Sequence, residues 1–100
     1  MNVTKQVWVE KDFLEKLKEK GINVSNVIER ELELLKTKCD NDLKVFQTIP
    51  GTSLVRVAYT INDELSDYLD NRAKCLQVKR SQLLRYLIKK YVYEVCSTRN

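Results

Sequence analysis

One hundred residues with 43% hydrophobic and 32% charged side chains make one domain's worth of chain, and either half alone would bury too little surface to stand by itself. No apolar run approaches the roughly 18 residues of a membrane span, and the start, Met-Asn-Val-Thr-Lys, lacks the apolar stretch of a signal peptide, so a cytoplasmic protein is expected. The net charge is +4 and histidine is absent, which removes the commonest side chain for acid–base and metal chemistry.

The chain opens with alternation. Over residues 3–9, Val3, Val7 and Val9 fall on one face of a short strand and Thr4, Gln6 and Trp8 on the other. Lys5 interrupts the apolar set near a ribbon end, where its amine can reach water. A helix is predicted from about Glu10 to Lys20, with Phe13, Leu14 and Leu17 inward, acids in its first turn and Gly21 as its stop. Asn23 reads as the N-cap of a second helix, which runs to about Lys38 with Val27, Ile28, Leu32 and Leu35 inward.

Residues 39–53 form a joint containing the only proline, in Pro50–Gly51, a pair suited to a type II turn. The flanking LKVFQTI and SLVRV could pair there as a hairpin. An ordered but irregular linker with Val45, Phe46 and Ile49 on the core is the preferred reading. A second strand follows over residues 55–61, with Val55, Val57, Tyr59 and Ile61 alternating with Arg56, Ala58 and Thr60. A third helix spans about Asn62 to Leu76, with Leu65, Leu69, Ala73 and Leu76 in phase. A fourth spans about Lys79 to Val95 and carries Leu83, Leu84, Leu87, Ile88, Tyr91 and Val95 inward.

The order strand, helix, helix is therefore written twice. With an offset of 52, Val7 falls on Tyr59, Phe13 on Leu65 and Leu17 on Leu69. After a four-residue insertion in the second copy, Ile22 falls on Val78, Val27 on Leu83, Ile28 on Leu84 and Leu32 on Ile88. Four residues is about one helical turn, so the insertion lengthens a helix without rotating its apolar face. A lone strand in each copy cannot stand by itself, and the two are expected to pair antiparallel over the four helices. One domain is expected, comprising repeat 1 (residues 1–38), the linker and repeat 2 (residues 54–96). The fold class is mostly α with a short antiparallel β-ribbon.

Charge separates the copies. Residues 1–50 hold nine basic and nine acidic side chains, whereas residues 51–100 hold nine basic and five acidic. From Asn71 to Tyr93 there is no acid, while Arg72, Lys74, Lys79, Arg80, Arg85, Lys89 and Lys90 supply seven cations that read as unopposed. Such a stretch is usually a solvated helix face, but this one suits a polyanion. The three cysteines (Cys39, Cys75, Cys96) are widely spaced and form no zinc-ligand pairs, so no metal or other cofactor is expected. They read as small semi-buried thiols, an intermolecular disulfide being the alternative. Asp63–Glu64 reads as a first-turn complement to a helix dipole. With no histidine, phosphate loop or nucleophile motif beside it, a non-enzymatic protein is expected.

The stretch VRVAYTINDELSDYLDNRAKCLQVKRSQLLRYLIKKY resembles the ribbon-helix-helix DNA-binding superfamily, the group containing the Met and Arc repressors. The resemblance rests on the alternating strand running into T-I-N-D-E-L, the alanine one turn before a helix end, and K-R-S-Q-L-L opening the last helix. VTKQVWVEKDFLEKLKEKGINVSNVIEREL follows the same plan with a shorter first helix. The resemblance implies an intramolecular pseudo-dimer whose ribbon enters the major groove of double-stranded DNA. Base-reading positions would be Thr4, Gln6 and Trp8 in one strand and Arg56, Ala58 and Thr60 in the other. Gln6 suits adenine, Arg56 suits guanine, and Thr60 or Ala58 suits a thymine methyl. Trp8 departs from the usual polar pattern: either it meets thymine methyls or the sugar wall, or it folds onto the core or a protein partner. Phosphate would be held at the N-termini of the second and fourth helices, by Asn23, Val24 and Ser25 and by Lys79, Arg80 and Ser81.

The function implied is a transcription regulator, with two or more chains side by side on an operator and no membrane or small-molecule partner. Small tandem regulators of this kind resemble those of archaeal viruses, a plasmid or chromosomal origin staying open. The rivals are an antitoxin, for which the tail after Val95 is short, and an interaction adaptor on the same scaffold without DNA binding.

Overall fold

Strand, helix, helix is the order of the first 38 residues, and the same order returns after residue 53. The computed structural model describes residues 1–38 and 53–96. The elements are β1 (Asn2–Glu10), α1 (Lys11–Glu19), α2 (Val24–Lys38), β2 (Leu54–Asn62), α3 (Asp63–Leu76) and α4 (Arg80–Tyr91), followed by a π-helical segment, Val92–Cys96. The expectations for the joint, namely the Pro50–Gly51 turn, the hairpin and the packing of Val45, Phe46 and Ile49, lie outside the described residues. So do Cys39 and the side chains of Val95 and Cys96.

The two strands pair antiparallel in one unbroken ladder from Asn2–Asn62 to Glu10–Leu54. Backbone hydrogen bonds continue it at both ends, the Asp63 N–H donating to the Met1 carbonyl and the Lys11 N–H to the Ser53 carbonyl, each at 2.9 Å. Both strands are one residue longer at each end than the apolar alternation marks. The ladder adds Asn2, Glu10, Leu54 and Asn62 there because backbone pairing does not depend on which face is apolar.

One face of the ribbon is covered by helices and the other is bare. Val7, Val9, Tyr59 and Ile61 are buried on the covered face, while Leu14, Val57 and Leu76 pack against the core from its rim. The packing crosses between the halves: α2 lies against α4 and β2, and α4 lies against β1. Each second helix thus covers the other half's strand, so the halves share one core of Val27, Ile28, Leu32, Leu83, Leu84, Leu87 and Ile88. Burial of each such aliphatic side chain contributes about 1.5–3 kcal/mol, and neither half retains that burial alone.

Three details depart from the expected helices. The fourth helix was predicted to run to Val95 but leaves α geometry after Tyr91. The wider turn keeps Val92 in the core and lays Tyr93 edge-on against Phe13 of α1, ring centroids 5.8 Å apart. The α3–α4 turn passes through Gln77 at φ 60, a left-handed backbone that only glycine adopts without cost, whereas Gly21 holds the matching position at φ 68. Finally, Glu31 of α2 is buried and receives the Lys90 amine of α4 at 3.3 Å. Burial raises the Glu31 carboxyl above its ordinary value despite Lys90. For Lys90, burial acts downward, but the carboxylates of Glu31 and Glu94 outweigh it and hold the amine above its usual range.

Candidate nucleic-acid interface

The bare face of the ribbon carries all six positions singled out by alternation. Thr4, Gln6, Trp8, Arg56, Ala58 and Thr60 are exposed, and the register joins them as Thr4 with Thr60, Gln6 with Ala58 and Trp8 with Arg56. Trp8 is 50% exposed, so its ring is not folded onto the core. The period-two geometry of β1 keeps it outward, with Val7 and Val9 inward on either side. At the opposite end the Thr4 and Thr60 hydroxyls bond each other at 2.9 Å. Arg56 has no ion-pair or hydrogen-bond partner among the described residues.

Each end of this face is flanked by a different helix. The Thr60 backbone N–H, on the outer edge of β2, donates to the Ser25 hydroxyl in the first turn of α2 at 2.8 Å. Arg85, in the second turn of α4, donates through Nη1 to the Trp8 carbonyl at 3.3 Å. These two bonds fix α2 beside the Thr4–Thr60 end and α4 beside the Trp8–Arg56 end. Neither is visible in the sequence, since they join residues 35 and 77 positions apart.

The two helix N-termini differ in chemistry. At α2, Asn23 caps as expected, its Oδ1 accepting from the Ser25 N–H at 2.7 Å. That N–H and the Ser25 hydroxyl are therefore both engaged within the fold. Val24 is buried, so its side chain belongs to the core and only its backbone could face a phosphate. At α4, lysine has no acceptor with which to cap, and the arrangement closes from the other side: the Lys79 N–H donates to Gln82 Oε1 at 2.8 Å. The Lys79 amine is exposed, and Ser81 is half-buried. Arg80 turns back to Asp70 of α3, Nη1 to Oδ1 3.2 Å, with both side chains still open to solvent.

The cations between residues 71 and 93 are less free than the sequence suggests. Arg80 is paired with Asp70, and Lys90 with Glu31 and with Glu94 at 3.5 Å. Lys89 lies over the Tyr93 ring, 5.9 Å from its centroid. An acid-free segment of sequence is not an acid-free surface, because Glu31 of α2, Asp70 in the middle of α3 and Glu94 of the π-helical segment supply carboxylates from outside it. Lys74 and Lys79 remain exposed at the α3–α4 corner, and Cys75 beside them is an exposed free thiol.

Among the described residues no helix is long and apolar enough to cross a membrane. Compared with protein families, curated proteins and solved structures, the chain matches none.

Proposed function

We propose that this chain is a sequence-specific double-stranded DNA-binding protein, a tandem ribbon-helix-helix transcription regulator whose halves form in one chain the pseudo-dimer that relatives build from two. The observation that carries the reading is the bare ribbon face, six exposed side chains in three cross-strand pairs, mounted on a core that fills only the opposite face. Two strands about 4.8 Å apart fit a major groove about 12 Å wide.

The register supports the pseudo-dimer. Partners across the ribbon have numbers that add to 64, and the repeats align at an offset of 52, so Gln6 and Ala58 are both cross-strand partners and repeat equivalents. A two-fold axis relating the halves would pass between them. The crossed packing of α2 on β2 and α4 on β1 supports the same arrangement.

In this reading Gln6, Arg56 and the outward neighbours choose sequence, while the α2 and α4 N-termini and Lys79 hold phosphates on either side. Joining the halves in one chain removes the concentration dependence of forming the ribbon. Two or more chains on one operator are expected. Binding to random duplex DNA, measured against salt, tests the proposal. The log–log slope should be steep, about −0.9 per phosphate contacted. A flat response, or no binding to any duplex, rejects it in favour of a protein-interaction adaptor, the reading that the exposed Trp8 would then serve.

A further inference from the structure

The two ends of the ribbon face are chemically unlike, and each is tied to a helix of matching character. At one end the Thr4 and Thr60 hydroxyls bond each other, so of two O–H donors one is already used. The helix fixed beside that end, α2, begins with the uncharged Asn23, Val24, Ser25 and Asn26. At the other end stand Arg56, unpaired among the described residues, and the half-exposed ring of Trp8 directly across from it. The helix fixed there is α4, tied to the ribbon by Arg85 and preceded by the exposed Lys79. Thr4 and Trp8 are four residues apart on β1, a separation of about 13 Å at strand rise, or about four base steps.

From this polarity we propose that the ribbon reads DNA in one orientation. The Trp8–Arg56 end takes a guanine beside a thymine, Arg56 bonding the guanine edge and the Trp8 ring packing on the thymine 5-methyl group. The Thr4–Thr60 end, one donor short, discriminates little. The inference rests on the DNA-binding reading above and assigns its recognition element. Arg56 offers the fork geometry that matches guanine O6 and N7. An indole ring has no acceptor and one N–H, so its outward face is fitted to an apolar group, and the thymine methyl is the apolar group that the major groove displays. The exposed Lys79 amine at the start of α4 strengthens the same end by drawing in an adjoining phosphate.

The test begins with a duplex site selected by the full chain from random DNA and shortened until it holds one chain. Thymines under the ribbon are replaced singly by deoxyuridine, which removes only the methyl group. One substitution, off the centre of the site and next to a guanine, should weaken binding about fourfold, the worth of one buried methyl-sized group. The same substitution should leave Trp8→Ala unaffected, since that variant has already lost the contact. Orientation is read separately with a DNA-cleaving reagent tethered at Cys75, Cys39 and Cys96 being replaced by serine. Cuts should fall on one side of the site, the side carrying that guanine.

Uniform tolerance of deoxyuridine, or equal cutting on both sides, overturns the polarity while salt-dependent binding leaves the DNA reading standing. If no duplex is selected, the DNA reading itself fails. If the serine variant loses binding, the deoxyuridine scan on the unmodified chain still decides between the outcomes.

Discussion

The turn between α1 and α2 and the turn between α3 and α4 follow one path with different residues. Each is closed by a backbone bond back over the helix end, Ile22 N–H to the Leu17 carbonyl at 2.9 Å and Val78 N–H to the Ala73 carbonyl at 3.0 Å. Each passes through a left-handed residue, Gly21 in one and Gln77 in the other. In the first turn the residue type suits the geometry. In the second, packing of Ala73, Leu76 and Val78 on the core holds a glutamine where it costs about 1–3 kcal/mol. Local preference and tertiary demand coincide in one half and conflict in the other.

The same comparison runs through the core. With the four-residue insertion counted, Glu31 corresponds to Leu87 and Lys90 to Leu34. A half-buried ion pair thus stands where the alignment puts leucines in the other half. An ion pair of this kind offsets much of its own desolvation cost, so it need not be more stabilising than its apolar counterpart.

Truncating the core gives the largest effect and asks whether the halves are one cooperative unit. Leu32→Ala and Ile88→Ala, at equivalent and fully buried positions, should each cost about 2–5 kcal/mol. Denaturant unfolding should remain a single transition in both. Separate melting of one half would break the shared-core description.

The ion pair gives the next effect. Lys90→Leu alone strands the buried Glu31 carboxylate and should cost about 3 kcal/mol at neutral pH. The double replacement Glu31→Leu with Lys90→Leu copies the other half and should be neutral or stabilising. Glu31 also sets a pH dependence. Its carboxyl is raised in the fold by burial, so the folded state holds the proton more tightly than the unfolded chain does. The contribution to stability is complete below the ordinary glutamate value, about 4.3. It is lost as pH rises through the raised value. Stability measured from pH 4 to pH 7 should fall by this component, and Glu31→Gln should remove the fall.

Under the proposed DNA-binding function, smaller effects separate sequence choice from general affinity. Gln6→Ala and Arg56→Ala should each cost about 1–3 kcal/mol at a specific site and relax preference there. Lys79→Ala should weaken all sequences alike and reduce the salt slope by about one phosphate's worth. If Arg56→Ala behaved as Lys79→Ala does, the base-reading role of the outward face would be wrong. The smallest effect comes from exchanging the turn residues. Gln77→Gly should raise stability by about 1 kcal/mol, and Gly21→Gln should lower it similarly, since nothing crowds a Cβ at Gly21 and only its φ resists. Equal and opposite shifts in thermal midpoint would confirm that the two turns differ only in residue type.

What could be read from the sequence was what repeats over short distances. Alternation assigned each strand residue its face, helical spacing chose the core side chains, and the two copies aligned with a helical turn inserted in the second. α3 is accordingly 14 residues long against 9 for α1. Those signals are local, because side-chain direction follows from a period of two or 3.6 within one element.

Tertiary structure alone decided which residues meet. It brought Ser25 to Thr60 and Arg85 to the Trp8 carbonyl, and gave Lys90 of α4 the Glu31 carboxylate of α2. It also imposed a left-handed backbone on Gln77. Periodicity fixes a direction for each side chain, but not what waits there. Partners more than thirty residues away in sequence are chosen only when the helices cross and close on the ribbon.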